Sequence, residues 1–361
     1  MATLDALKKT LRQRVEVTPN PGTQSLSEAQ YSAGFDLLLQ GSGQKTYDDF
    51  ITPQLSLSLA PLLETRTSIS ILEIGPGPKS VLCNLPVKLR QGITRYAAFE
   101  PNNLFATRLE ESLCSTPKTS SPLPCLERLP EIHRVPFCPE GSLISSTSDG
   151  DEKFDVILFC HSMYGMKPKR SFIERALNML HHYSKDGMVI VFHRDGSLHL
   201  NGLTCQRTSS FPAGSTRVAD DDETLDCFAA FITGFIMQDS AEREAIQAVW
   251  REVCRSIGRR EEAHPDHLFF SSPDVMASFT KSATALPQLM VQVPAVIGKY
   301  EIKNREARLR QPASILRPTG IRHVQQLIRW ALENRISLSV VGGGHSGNCL
   351  WSYVVAIDMR F

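Results

Sequence analysis

The chain has no excess charge of either sign. Its 361 residues carry 39 Lys and Arg against 38 Asp and Glu, a net +1. Without a global field, neither nucleic acid nor an acidic membrane surface is selected as a partner. No CxxC pair occurs among the nine cysteines, an odd and scattered set. That pattern fits reduced thiols in an intracellular protein better than a disulfide frame, and no metal site is expected. No apolar run reaches membrane-spanning length; the longest, FAAFITGFIM at Phe228–Met237, is far too short. Charge interrupts the apolar residues of MATLDALKKTLRQRVEV at the start, so no signal peptide is expected there. No internal repeat is evident. A soluble, cytoplasmic protein with a sizeable core is the expectation.

What is present is an alternation of strand and helix patterns. SEAQYSAGFDLLLQ, Ser27 to Gln40, predicts a helix with Ser27 as its cap. A Gly-Ser-Gly break and a second helix from Thr46 to about Leu63 should follow. SISILEIG and RYAAFE read as short strands, FDVILFC as an apolar strand buried on both faces and MVIVFH as a further buried strand. Ser115–Pro130 reads as a surface loop and Arg170–His182 as a helix. Asp220–Gly258 reads as helical, and Met276–Tyr300 as a helix followed by the strand QLMVQVPAV. The class is α/β, with a doubly wound, mostly parallel sheet and a helical cap. A charged stretch, KYEIKNREARLRQ, separates two domains, 1–305 and 311–361.

ILEIGPGPKSVL puts Glu73, Gly75 and Gly77 at the carboxyl end of the first core strand. In a doubly wound sheet that loop receives the ligand, and glycine lets it approach the backbone closely. Glu100, ending the next strand, is placed to accept from a ribose diol. The turn reads GPGP rather than GxGxxG, and the acid two residues before it suits an ammonium-bearing nucleoside better than a diphosphate.

LEIGPGP, FEP and FDVILFCHSMYGM together resemble the class I S-adenosylmethionine-dependent methyltransferases, and within them the branch containing histamine N-methyltransferase. The likeness runs from about Tyr31 to Gly202. It implies a Rossmann-like fold with S-adenosylmethionine as methyl donor. FDLLLQGS resembles the family's helix end that closes over the cofactor, with Tyr31 and Phe35 lining the pocket. FEPN stands where the family grips the ribose, and PEGSL nominates Ser142 beside the adenine. CHSMYGM places Cys160 and His161 between cofactor and substrate, with Tyr164 nearby. Gln44 falls on the position of the histamine enzyme's amine-binding acid, and His161 on its active-site glutamine. Both changes point away from histamine as acceptor. His161 is the candidate general base, because imidazole titrates near neutrality; His193 is a weaker one. The apolar Phe228–Met237 segment and the Trp250 region should form a cap favouring an uncharged or polyketide-like acceptor.

PASILRPTGIRHVQQLIRWALENRISLSVVGGGHS resembles the opening of the berberine-bridge-type FAD-linked oxidases, an α+β, PCMH-type fold. The resemblance implies flavin contacts from Gly342, Gly343, Gly344 and Ser346, and a covalent bond from His345. Those oxidases need a far longer domain with a distant second cysteine, and Cys349 lies too close to His345 for that part. The segment is expected to be the front of a cut-off domain that does not hold FAD alone and leaves an unpaired apolar edge at its last strand. A methyltransferase ahead of such an oxidase resembles the dual methyltransferase/flavin monooxygenases of fungal secondary metabolism, as in pseurotin-type pathways. That setting implies a small-molecule or carrier-bound polyketide acceptor. Two other readings stay open: a flavin-dependent oxidoreductase with a non-catalytic N-terminal scaffold, and a methyltransferase-fold binding module without turnover.

Overall fold

The structure, a computed structural model, describes residues 2–16, 22–114, 121–140, 153–181, 187–194, 203–280, 286–296, 300–310, 312–334, 336–351 and 354–360. Its main sheet has seven strands. In chain order they are β1 (Ile69–Ile74), β2 (Ile93–Phe99), β3 (Glu131–His133), β4 (Val156–Cys160), β5 (Met188–Arg194), β6 (Arg207–Phe211) and β7 (Asp274–Thr280). Across the sheet they run β3-β2-β1-β4-β5-β7-β6. The first five are mutually parallel, and β7 runs antiparallel to both of its neighbours. Every residue of β1 and β4 is buried. Strands covered on both faces carry near-continuous apolar runs rather than an alternation, which is why these were visible in the sequence. The strand order reverses between β1 and β4, and that reversal opens a crevice at their carboxyl ends.

The longer helices are α1 (Leu4–Glu16), α2 (Glu28–Leu38), α3 (Thr52–Thr65), α4 (Asn103–Leu113), α5 (Lys169–Asn178), α6 (Asp222–Thr233), α7 (Ser240–Ile257) and α8 (Ile321–Asn334), the last packed on the C-terminal strands. Ser27 caps α2 reciprocally: the Gln30 N–H donates to Ser27 Oγ at 3.3 Å and the Ser27 N–H to Gln30 Oε1 at 3.0 Å. The expected Gly-Ser-Gly break does not occur. From α2 to α3 the chain stays helical through two wide π-type turns, Leu39–Gly43 and Tyr47–Ile51. Gly41 is needed there for close approach, since a Cβ on it would lie 1.8 Å from the Arg217 carbonyl oxygen of the strand Ser215–Ala219.

Two further expectations are corrected. The Asp220–Gly258 region is two helices, split where Gly234 takes a left-handed backbone (φ 84°) and caps α6. Met276–Tyr300 has the reverse order of elements: β7 comes first, and Leu286–Gln292, including all of QLMVQ, is helical. An antiparallel strand inserted between β5 and β6 has no local signal, because its partners lie far away in the chain.

Helices α1, α6 and α7 share one apolar cluster that includes Leu7, Leu11, Phe228 and Trp250. They form a cap layer beside the sheet. The C-terminal residues make a second, three-stranded parallel sheet, ordered Ser314–Leu316, Val355–Asp358, Leu338–Val341. The last strand is therefore central and paired on both sides, not an unpaired edge. Val354 packs in the same core cluster as β1, β4 and β5 residues, so this segment rests on the main sheet. Among the described residues no helix is long and apolar enough to cross a membrane, and no group of metal-ligating side chains occurs.

Candidate functional site

The turn after β1 is built around two glycines in left-handed conformation, Gly75 at φ 62° and Gly77 at φ 72°. Side chains rarely tolerate that region. A Cβ on Gly75 would sit 2.7 Å from Ser162 Cβ, and one on Gly77 would meet the Phe35 ring at 3.3 Å. The loops after β1 and β4 therefore close on each other at the crevice, and Phe35 lies over the turn.

Two acids on adjacent strands pin this turn. Glu100 is buried at the end of β2. Its Oε2 accepts from the Gly77 N–H at 2.9 Å and its Oε1 from the Asn102 N–H at 2.9 Å. Burial raises its carboxyl, and those two amides oppose the rise. Each oxygen keeps acceptor capacity, so a diol can still donate to it. Glu73 is wholly enclosed. Its Oε2 accepts from the Tyr96 hydroxyl at 2.8 Å and its Oε1 from the Val81 N–H at 3.3 Å. Burial pushes its carboxyl up to about 7, against hydrogen bonds from Ser80, Tyr96 and Val81. Its oxygens are spent inside the protein, holding the segment that follows the turn.

Phe35, which lies against Gly77, belongs to a cluster of four aromatic rings. Tyr31 and Phe35 on α2 meet Phe105 on α4 at 5.9 and 5.1 Å between ring centres, and Phe231 on α6 at 5.2 and 6.4 Å. Burial, then the Glu100 charge, raises the Tyr31 phenol, so its hydroxyl shares the acid's surroundings. Phe105 and Phe231 were not anticipated, since only the packing of three helices brings these rings together.

At the ends of β4, β5 and β7 lies a polar group. His161 follows β4 with φ 56°, an uncommon backbone for a residue with a side chain. Its Nδ1 is 2.8 Å from the Tyr164 hydroxyl and its Nε2 is 3.6 Å from Asp274 Oδ2. The antiparallel register of β7 sets Asp274 opposite Arg194 and Val275 opposite His193. This is how a residue far along the chain reaches His161, and why the sequence did not reveal it. Burial, then the Arg194 and His193 charges, holds the His161 imidazole well below its usual range. Burial pushes the Asp274 carboxyl up to about 6, opposed by Arg194. The Cys160 thiol lies 3.9 Å from the Tyr47 hydroxyl and is raised by burial. His193 is buried, with Nδ1 2.7 Å from the Arg194 carbonyl, and is lowered to about 4, mainly by burial.

Of the residues named from sequence, Tyr31, Phe35, Gly75, Gly77 and Glu100 gather at the turn, and Cys160, His161 and Tyr164 at the end of β4. Gln44 is exposed and donates to Asp48 Oδ1 at 2.8 Å on its own helical run. Ser142 lies outside the described residues. In the C-terminal sheet, Gly342–Ser346 follow the strand Leu338–Val341, with Gly344 at φ 72°. The Asn304 N–H donates to the Gly344 carbonyl at 2.8 Å, and His345 Nε2 lies 3.4 Å from Lys303 Nζ. The glycine loop is thus laced to the charged stretch ahead of it.

No family model matches the chain, and neither does any curated protein. Among solved structures, it is similar to the N-methyltransferase NodS from Bradyrhizobium japonicum, in complex with S-adenosyl-L-homocysteine, at 14% identity over 69% of this chain and 97% of that one, with a TM-score of 0.32. The plantazolicin methyltransferase BpumL, in complex with S-adenosylhomocysteine, is similar at 12% identity over 77% of this chain and 98% of that one, TM-score 0.33. The cyclase SpnF is similar at 13% identity over 76% and 93%, TM-score 0.36. Scores of this size leave the functional reading to the site's own residues.

Proposed function

We propose that the chain binds S-adenosylmethionine in the crevice between β1 and β4 and transfers its methyl group to a small-molecule acceptor. The observation that carries this reading is Glu100, whose buried carboxylate ends β2 beside Gly77 and the aromatic cluster. That arrangement offers a diol acceptor and an apolar slot for a base on one side of the turn. The donor, when bound, supplies an electrophilic methyl on a sulfonium; the protein's task is alignment and exclusion of water. Phe35 has to swing off Gly77 to admit it.

Replacing Glu100 with alanine is expected to weaken S-adenosylhomocysteine binding about tenfold, the cost of roughly one charge-assisted hydrogen bond. Calorimetry on both proteins measures this. Equal affinity for the variant would remove Glu100 from the site, and no binding by the parent protein would favour a module without turnover.

The finer reading is a polyketide-type acceptor and a flavin monooxygenase setting. It rests on the resemblance of residues 311–361 and is supported by the left-handed Gly344 at the end of a parallel strand. Successive backbone N–H groups in such a turn cradle anions. The purified chain is expected to show no flavin absorbance, because Gly342–Ser346 provide one phosphate loop only.

A further inference from the structure

We infer that the acceptor is a compound with an acidic hydroxyl, a phenol or an enol, which loses its proton to a relay of Tyr164, His161 and Asp274 while its oxyanion faces Arg194. This rests on the methyl-donor reading above and extends it to the other substrate.

The relay follows from how the imidazole is held. Tyr164 Oη can accept from the Arg194 N–H, 3.4 Å away, and its own proton then points at His161 Nδ1. That leaves the neutral imidazole's proton on Nε2, toward Asp274. Nδ1 is thus taken by Tyr164 while Nε2 faces Asp274 at 3.6 Å, so the relay runs through Tyr164 to the acceptor. Tyr164 is 37% exposed, whereas Asp274 is 3% exposed. The order from solvent inward is phenol, imidazole, carboxylate, which is the logic of a nucleophile-side hydroxyl, a base and an orienting acid.

The acceptor's character follows from what is left unpaired. Asp274 Oδ1, Arg194 Nε and Ser162 Oγ are buried with no hydrogen-bond partner among the described residues. Buried polar atoms without partners are uncommon, and three around one histidine call for a polar ligand. The Arg194 guanidinium also lies 5.9 Å from the centre of the Tyr164 ring, so a cation faces the place where the acceptor loses its proton. An oxyanion is stabilised there; an ammonium is repelled.

The step balances. The oxygen's electron pair forms a bond to the methyl carbon as the donor's carbon–sulfur bond breaks. The acceptor's proton passes to Tyr164 Oη, the phenol's proton to His161 Nδ1, and the imidazolium faces the Asp274 carboxylate. The groups around His161 are Tyr47 from the helical run, Cys160 on β4, Tyr164, His193 and Arg194 on β5, and Asp274 on β7. Of these, Asp274 sets an ionisation within the working range, with its carboxyl near 6.

The test uses the full chain with naphthol and naphthylamine as a matched pair of probes. Turnover is read as S-adenosylhomocysteine release, and donor binding is read separately by calorimetry. Naphthol is expected to be methylated and naphthylamine at least about tenfold less efficiently. Tyr164→Phe, which keeps the ring, should lower kcat on the order of 10²-fold with KM nearly unchanged. The wild-type rate should rise with pH through about 6, and Asp274→Asn should abolish that rise. Melting curves of both variants confirm folding. Preference for the amine, no turnover of naphthol, or an unchanged kcat in Tyr164→Phe overturns the relay. Failure of S-adenosylhomocysteine to bind overturns the donor reading instead, so the two failures are distinct.

Discussion

Trp250→Ala should cost about 3–5 kcal/mol of stability, the range for emptying a large buried aromatic site. Trp250 is 1% exposed, its Nε1 donates to the Leu11 carbonyl at 3.1 Å, and its ring meets Phe235 edge-on at 5.9 Å. The substitution therefore opens a cavity and removes the indole N–H that ties α7 to α1. Calorimetric unfolding should show the midpoint falling by roughly 5 °C. The same cluster seats α6 and has Phe231 packed against it, the ring that also meets Tyr31 and Phe35. Affinity for S-adenosylhomocysteine should fall with stability, since the ring that closes the aromatic slot is positioned from this cluster. A loss below about 1 kcal/mol would mean that the site collapses around the smaller side chain. The cap layer would then owe little to the indole.

The central strands were readable because burial on both faces writes near-continuous apolar runs such as ILEI, closed by a glycine, and VILFC, closed by His161. The edge of the same sheet was not. RTSSF in β6 has no fully buried residue and no periodicity, so nothing local separates it from a loop. The stretch through Asp274–Gln292 shows the opposite difficulty. DVMASFT and LPQLMVQ are both mixed apolar runs, and only pairing with β5 makes the first a strand. Helical continuity across Gly41 depends on a carbonyl from a distant strand that leaves room for nothing larger. The site divides along the same line. Gly75, Gly77, Glu100 and His161 lie within or next to strand-end motifs and were named from them. Asp274, Phe105 and Phe231 arrive through sheet register and helix packing, which one sequence does not display. Glu73 was named from its motif as a cofactor contact, and the Tyr96, Ser80 and Val81 groups that enclose it add a bracing role that the motif does not display.

Glu73→Gln is expected to stabilise the protein at pH 8 and to change little at pH 4. The folded carboxyl sits near 7 and the unfolded one at 4.5. Between those values the folded state holds a proton that the unfolded chain has already released. Stability therefore falls as pH rises through that window and levels off above it. At ~1.4 kcal/mol per tenfold, the full cost above pH 7 is about 3 kcal/mol. Glutamine is neutral at every pH and removes this slope. Its oxygen can still accept from the Val81 N–H, and its amide can donate to the Tyr96 hydroxyl, so the brace survives. The gap between the unfolding midpoints of variant and parent should open above about pH 5 and level off above about 7. Parallel curves would mean that Glu73 stays ionised when folded, with its charge balanced by the hydrogen bonds of the turn. In that case the negative charge beneath Gly75 would be available to an ammonium after all, and the donor's amino end would have its counter-ion. The slope thus decides whether this acid serves the fold or the ligand.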